Sequence, residues 1–184
     1  MKRIILTSAG FENKNIERIF INMLDSPVDK AKVLWIPTAA IDEDAKAVLP
    51  KCMNDLLYAG IQKDNITIYN LDYQIEYEKL KQYDAVYVCG GDCNYLLSQM
   101  LKFDFVNLIK QYILNEGIYI GVSAGSCICG KDYRNGFNWV KSIINVHCKK
   151  GQRNGNITPD KHKKINLKDN QALIFYANGM FIAE

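Results

Sequence analysis

The stretch "YIGVSAGSCICG" at residues 119–130 predicts both the fold class and a candidate site. Its first residues are apolar, as in a buried strand, and the residues after Ser123 are small, as at the start of a helix. When a strand runs into Gly-x-Ser-x-Gly and a helix leaves it, the sharp turn lifts the serine hydroxyl above the sheet edge. The alternative is that Ser123 only fills a tight turn. A base, an orienting acid and an oxyanion hole nearby would favour a nucleophile.

The rest of the chain predicts a parallel sheet with crossover helices, because short β-branched runs alternate with segments of helical periodicity. The predicted strands are "RIILTS" (3–8), "KVLWIP" (32–37), "NITIYNL" (65–71), "DAVYVCG" (84–90) and "GIYIGVS" (117–123). Helices are predicted within 16–24, 45–57 and 105–113, where Pro50 kinks the second or delays its start. At 184 residues we expect one domain over residues 1–184.

The pattern changes after Gly130. The segment "SIINVHC" (142–148) predicts a further strand, and "ALIFYANGMFIAE" (172–184) predicts a hairpin that turns at Asn178-Gly179. Between them, residues 148–169 are polar and basic, which indicates a long surface excursion or a mobile loop.

Composition argues against several classes of protein. The net charge of +3 is too small to act as a whole-protein field for nucleic acid. The basic residues of the 148–169 segment lack interleaved aromatic side chains, so we expect a solvated face. No apolar run approaches the length of about 20 residues that a membrane span needs, and the apolar segment in the N-terminal "MKRIILTSAGF" is shorter than we expect of a secretory signal. We therefore expect a cytoplasmic protein with no nucleic-acid or membrane partner.

The thiols and histidines do not indicate a metal site. Six cysteines are present, without a Cys-x-x-Cys pair, and there are only two histidines, His147 and His162. In a cytoplasmic chain we expect the cysteines to be reduced thiols.

His147 is the favoured general base, because it lies at the end of an apolar strand where its ring can be held rigidly. His162 lies among lysines on a polar segment, where a solvated histidine is expected. Asp132 is the only carboxylate between Ser123 and His147 and is the first candidate for the orienting acid. It could instead be a turn residue, with Asn138 or a more distant acid in its place.

A second glycine element, "VYVCGGDCNYLL" (86–97), also follows a strand and opens a helix. It lacks the spacing of the known phosphate loops, which argues against a nucleotide site. Its amides around Gly91 and Asp92, together with the amide of Ala124, are candidates for an oxyanion hole.

These segments resemble, in order and spacing, the dipeptidase E (aspartyl dipeptidase) family of serine peptidases. The resemblance is carried by "LTSAGF" (6–11), "WIPTAA" (35–40), "CGGDCNYLL" (89–97), "GIYIGVSAGS" (117–126), "INVHC" (144–148) and "LKDNQALIFYANG" (167–179). It implies a three-layer α/β/α sandwich with a mostly parallel central sheet, flavodoxin-like and akin to the class I glutamine amidotransferases. It also implies hydrolysis of short peptides, in the named member those with N-terminal aspartate, without a metal or organic cofactor.

Carried over by position, the resemblance makes Ser123 the nucleophile, His147 the base, and the Gly91 region with Ala124 the oxyanion hole. The family's Gly-Gly-Gly-Asn-Thr is replaced here by Cys89-Gly90-Gly91-Asp92-Cys93, and the connection from Ser123 to His147 is shorter. Arg153, like Arg134 or nearby lysines, could hold the carboxylate of an aspartyl substrate. Two alternatives stay open: a catalytically silent binding domain, and a different acyl hydrolase.

Overall fold

An eight-stranded sheet forms the centre of the structure, a computed structural model that describes residues 2–158, 161–177 and 179–184. Numbered in chain order, its strands lie side by side as β3 (Ile66–Ile68), β2 (Val33–Ile36), β4 (Ala85–Val88), β5 (Ile118–Val122), β1 (Arg3–Thr7), β9 (Ala172–Tyr176), β10 (Gly179–Ala183) and β7 (Gly155–Asn156). The first five run parallel, and the last three continue the sheet antiparallel. All five strands predicted for the parallel part are confirmed.

Helices cover both faces of this sheet. They are α1 (Lys14–Met23), α2 (Glu43–Ala47), α3 (Leu49–Ala59), α4 (Tyr77–Leu80), α5 (Cys93–Lys102), α6 (Phe105–Leu114) and α7 (Ala124–Cys127). Side chains alternate across β1, so Ile4 and Leu6 pack with α5 and α6 while Ile5 packs with α1 and α3. The predicted three-layer α/β/α sandwich with a mostly parallel sheet is therefore confirmed. The single-domain assignment for residues 1–184 stays a prediction.

Pro50 lies in the first turn of α3, where its missing amide hydrogen costs nothing. The chain leaves α2 at Val48 and starts α3 at Leu49, so the helix predicted within 45–57 is two helices. Gly60 ends α3 with a left-handed φ of 106°.

The region after Gly130 is more structured than predicted. The predicted strand 142–148 contains β6 (Ile143–Asn145), which pairs in parallel with β8 (Lys164–Asn166) in a separate two-stranded sheet. The polar segment 148–169 is thus not a plain surface loop, because it holds β7 and β8 and buries Ile165. The β9–β10 hairpin is confirmed, but the turn predicted at Asn178-Gly179 is wrong for Gly179, which begins β10 and pairs with Tyr176; Asn178 lies outside the described residues.

Strand order determines which segments meet at the site. Because β5 lies between β4 and β1, the residues that follow these three strands meet at one edge of the sheet. In the antiparallel pair of β1 and β9, Thr7 is opposite Ala172, so the segment that precedes β9 reaches the same edge. Ligands of open α/β sheets bind at such an edge.

Candidate active site

Ser123 occupies a strained turn between β5 and α7. Its φ of 48° and ψ of −105° are unusual for a residue other than glycine, and such a conformation costs on the order of 1–3 kcal/mol. The flanking glycines make the turn possible. A Cβ on Gly121 would lie 2.5 Å from the Gly125 carbonyl oxygen, and one on Gly125 would lie 2.6 Å from the Val88 carbonyl oxygen. The local geometry is that of a nucleophile elbow.

His147 lies beside Ser123, as the sequence predicts. Its Nε2 is 3.1 Å from Ser123 Oγ, and its Nδ1 is 2.6 Å from Asp169 Oδ1. Because a carboxylate can only accept, we assign the ring proton to Nδ1, which leaves Nε2 free to accept from the Ser123 hydroxyl. His162 is not in this arrangement; its carbonyl accepts the Ser142 hydroxyl.

The carboxylate beside His147 is Asp169, not Asp132. Asp132 is exposed in a turn between α7 and β6, and it does not hydrogen-bond His147. Chain order points only to acids between Ser123 and His147. The antiparallel return of β9 brings the segment that precedes it, with Asp169, beside β1. The sequence feature that could have indicated Asp169 is "LKDNQ" (167–171), which places an acid three residues before the predicted strand that begins at Ala172.

Ser8, at the end of β1, also belongs to the site and was not predicted from the sequence. Its hydroxyl accepts the His147 amide at 2.7 Å and lies 3.3 Å from Asp169 Oδ1. The side chain is fully buried. Nothing in the sequence distinguishes it from another small residue in the turn after a strand.

The structure separates the three residues predicted for the oxyanion hole. The Asp92 amide donates to the Ala39 carbonyl at 2.8 Å, and the Asp92 side chain caps α5 by accepting the Tyr95 amide at 2.7 Å. Asp92 therefore has no free donor for a substrate. By contrast, within the described chain the amides of Gly91 and Ala124 have no hydrogen-bond acceptor.

Gly91 has a φ of 135°, and a Cβ there would overlap the Ala39 carbonyl group, so only glycine fits. Its neighbour Gly90 is close to the nucleophile, since a Cβ there would lie 3.0 Å from Ser123 Cβ. The replacement of the family's glycine-rich sequence therefore keeps the two glycines that the backbone needs near Ser123.

A cavity of about 290 Å³ opens beside Ser123 and His147. Val48, Cys52 and Val122 supply apolar wall, and Gly90 and Gly91 supply backbone. The remaining lining residues are Ser8, Ala9 and Lys51. This volume is near the lower end of the range for small-molecule sites.

Lys51 is the cation that lines this cavity, and it forms an ion pair with Glu12. Arg153, the residue predicted to bind substrate, is exposed shortly before β7 and is not among the lining residues. The structure thus brings Ser123, His147, Gly91 and Ala124 together and leaves Arg153, Asp132 and the Asp92 amide outside the arrangement.

Two cysteines on the helices near the elbow, Cys93 and Cys127, are not among the residues that line the cavity. Cys93 begins α5 and Cys127 ends α7. A hydrogen bond with the Cys127 thiol is the largest cause that lowers the pKa of Cys93 to about 6, against the opposing effect of burial. Across the residues that the structure describes, no group of three or more histidine, cysteine or acidic side chains is arranged to hold a metal ion.

Asp55 on α3 supports the turn that follows β1. Its Oδ2 accepts the Tyr87 hydroxyl at 2.7 Å and the Phe11 amide at 2.9 Å. Burial raises the pKa of Asp55, and these two hydrogen bonds partly oppose the shift. The turn that carries Ser8 and Ala9 is therefore tied to the cavity wall.

Fold and site together define a class: α/β proteins that present a nucleophile-elbow serine beside a histidine at the carboxyl edge of a parallel sheet. Comparison with known proteins narrows this class. The profile of Peptidase family S51 matches residues 4–140, and the chain belongs to this family. The resemblance to the dipeptidase E family is thereby confirmed.

Individual relatives agree with this assignment. An uncharacterised peptidase of Pasteurella multocida is 27% identical over 128 residues, which cover 70% of this chain and 60% of that protein. A protein named peptidase E of Shewanella oneidensis is 39% identical over 106 residues, covering 58% of this chain and 43% of that protein. The chain thus spans less than two thirds of the length of these curated relatives.

The fold is also found in a solved structure. A crystal structure of a candidate peptidase E protein from Listeria monocytogenes superposes with a TM-score of 0.76 at 20% identity. The match covers 100% of this chain and 98% of the other. In the described parts of the present chain, no helix combines the length and apolar character needed to cross a membrane.

Proposed function

We propose that this protein is a serine peptidase that hydrolyses short peptides through an acyl-enzyme intermediate. The observation that carries the proposal is the hydrogen-bonded series Ser123 Oγ, His147 Nε2, His147 Nδ1 and Asp169 Oδ1 beside a small cavity. Nucleophile, base and orienting acid are the three groups that this chemistry requires. Membership of Peptidase family S51 supports the same reaction class.

In this mechanism Ser123 Oγ attacks the carbonyl carbon of the scissile bond while His147 Nε2 takes the serine proton. Asp169 holds the ring with its proton on Nδ1 and stabilises the imidazolium that forms. The amides of Gly91 and Ala124 stabilise the oxyanion. His147 then gives the proton to the leaving amine, and a water molecule activated by the same nitrogen hydrolyses the acyl-enzyme. No metal or organic cofactor takes part in these steps.

The cavity supports a preference for small substrates with an acidic group near the scissile bond. A volume of about 290 Å³ accommodates one or two residues of a peptide. Lys51 lines this cavity, and its ammonium group, which is paired with Glu12, can also pair with a substrate carboxylate. We propose Lys51, in place of Arg153, as the residue that favours N-terminal aspartate.

The first experiment measures release of p-nitroaniline from a panel of aminoacyl substrates that includes aspartyl and alanyl derivatives. Turnover should disappear in Ser123→Ala, and a fluorophosphonate should label Ser123 in the unmodified protein. A protein that neither turns over any substrate nor reacts with the fluorophosphonate is a silent binding domain on a hydrolase fold. Turnover of esters without turnover of amides would indicate a different acyl hydrolase.

The role of Lys51 is tested separately with Lys51→Met, which keeps most of the side-chain volume and removes the charge. We expect kcat/KM for the aspartyl substrate to fall about 10-fold or more, with little change for the alanyl substrate. Arg153→Met is the matched control, and both of its rates should stay unchanged. A loss confined to Arg153→Met would restore the sequence-based assignment.

A further inference from the structure

Ser8 connects the two segments that carry the base and the acid. Its hydroxyl oxygen accepts the His147 backbone amide at 2.7 Å, and it lies 3.3 Å from Asp169 Oδ1, to which it can donate its proton. Its own amide donates to the Gln171 carbonyl at 3.2 Å, two residues beyond Asp169. One buried residue at the end of β1 thus contacts both segments.

These contacts close a ring of hydrogen bonds. The His147 amide donates to Ser8 Oγ, the Ser8 hydroxyl donates to Asp169 Oδ1, and His147 Nδ1 donates to the same Asp169 oxygen. Asp169 Oδ1 thus accepts two hydrogen bonds, one from Ser8 and one from His147, which together fix the orientation of the carboxylate. A hydroxyl is required at position 8, because the same atom must accept one hydrogen bond and donate the other.

Apart from Ser8, the surroundings of His147 and Asp169 do little to fix the orientation of the two side chains. The side chains of His147 and Asp169 are 52% and 62% exposed, so water competes for their polar atoms. His147 also has a left-handed φ of 55°, which a residue other than glycine adopts only with local support. The buried Ser8 hydroxyl supplies that support at the His147 amide.

We propose that Ser8 is a positioning residue, which fixes the His147–Asp169 pair in the geometry and tautomer that proton transfer from Ser123 needs. This inference rests on the proposed function for its effect on turnover. Its structural part, the orientation and tautomer of His147, is independent of any substrate.

The kinetic test compares Ser8→Ala with Ser142→Ala. Both serines are fully buried and both hydroxyls are hydrogen-bonded, but the Ser142 hydroxyl donates to the His162 carbonyl, away from the site. For Ser8→Ala we expect kcat to fall about 10- to 30-fold with KM changed less than about twofold. Ser142→Ala should keep the wild-type kcat even where its melting temperature falls. An unchanged kcat in Ser8→Ala, or an equal loss in Ser142→Ala, would overturn the proposal.

The second readout is the tautomer of His147, measured from the nitrogen chemical shifts of the imidazole ring in labelled protein at alkaline pH. His162, the only other histidine in the sequence, is the internal reference. Wild type should show the proton on Nδ1, and Ser8→Ala should show a mixture while His162 is unchanged. An unaltered His147 tautomer in Ser8→Ala refutes the positioning role. A shifted tautomer in a protein without peptidase activity supports it while the proposed function fails.

Discussion

Replacing Asp169 by asparagine tests the site most directly. The substitution keeps the size and shape of the side chain and removes the negative charge 2.6 Å from His147 Nδ1. Asparagine can still accept a hydrogen bond from Nδ1, but it cannot stabilise the imidazolium that the proposed mechanism forms when His147 takes the serine proton. We expect a loss of kcat with little change in KM, because the lost interaction is strongest in the transition state.

The size of the loss follows from the exposure of the pair. With about 4 Å between the charge centres, the attraction is about 1 kcal/mol in water and about 4 kcal/mol at an effective dielectric constant of 20. Side chains that are 52% and 62% exposed lie between these limits. A contribution of about 2–3 kcal/mol corresponds to a 30- to 150-fold loss of kcat. A loss of about 10⁴-fold would indicate instead that the asparagine also imposes the wrong tautomer on His147.

The assay uses the best p-nitroanilide substrate of the wild-type protein, with fluorophosphonate labelling of Ser123 as a measure of serine reactivity that needs no substrate. Asp132→Asn is the matched control, since it makes the same chemical change at an exposed acid outside the site. Its kcat should stay within about twofold of wild type. If Asp132→Asn loses more activity than Asp169→Asn, or if Asp169→Asn is fully active, the assignment of Asp169 is refuted.

Three further outcomes follow from the structure. Gly125→Ala should lower the melting temperature by about 4–10 °C, because the new Cβ meets the Val88 carbonyl; Gly179→Ala, whose Cβ has an ordinary 3.5 Å neighbour, should not. The rate of Cys93 alkylation by iodoacetamide should be half-maximal near pH 6, because the pKa of Cys93 is lowered to about 6 and the thiolate is the nucleophile. Loss of the signal in Cys93→Ser assigns it to this residue, and a midpoint near pH 8.5 would contradict the lowered pKa. Burial raises the pKa of Asp55 in the folded state above its value in the unfolded state. The contribution of Asp55 to the free energy of unfolding is therefore complete at a pH below the unfolded-state pKa, and it is lost as the pH rises through the folded-state pKa. Urea unfolding should therefore show wild type losing stability relative to Asp55→Asn between acidic and neutral pH, and the opposite trend would contradict this sign.

Local signals account for what the sequence predicts correctly. Continuous apolar runs identify the buried parallel strands, and glycines two residues either side of Ser123 identify the elbow, because each reflects a requirement of its own segment. The place of His147 beside Ser123 is predicted for a similar reason, since it is one of two histidines and the one that closes an apolar segment. None of these inferences needs the position of a distant part of the chain.

The errors come from contacts between segments far apart in sequence. Asp169 reaches His147 only because β9 pairs with β1 across more than 160 residues of chain. The Asp92 amide is unavailable because the Ala39 carbonyl, on the connection after β2, accepts it. The Ser8 hydroxyl reaches His147 and Asp169 through two segments from the C-terminal third of the chain. Chain order and residue type do not encode such contacts, so only the assembled sheet shows them.

Residues at the end of β1 accept hydrogen bonds from the two strained residues of the site, Ser123 and His147. Ser123 and His147 both have left-handed φ values, 48° and 55°, and each such residue costs on the order of 1–3 kcal/mol. Two consecutive residues hold their amides: the Thr7 carbonyl accepts the Ser123 amide at 3.1 Å, and the Ser8 hydroxyl accepts the His147 amide at 2.7 Å. Thr7 is the last residue of β1 and Ser8 is the residue after it, so the two anchors are adjacent and hold the backbones of Ser123 and His147 on either side of the Oγ–Nε2 distance of 3.1 Å. A displacement of Thr7 relative to Ser8 would therefore change that distance directly, which explains why a segment without a catalytic group, "LTSAGF", is part of the site.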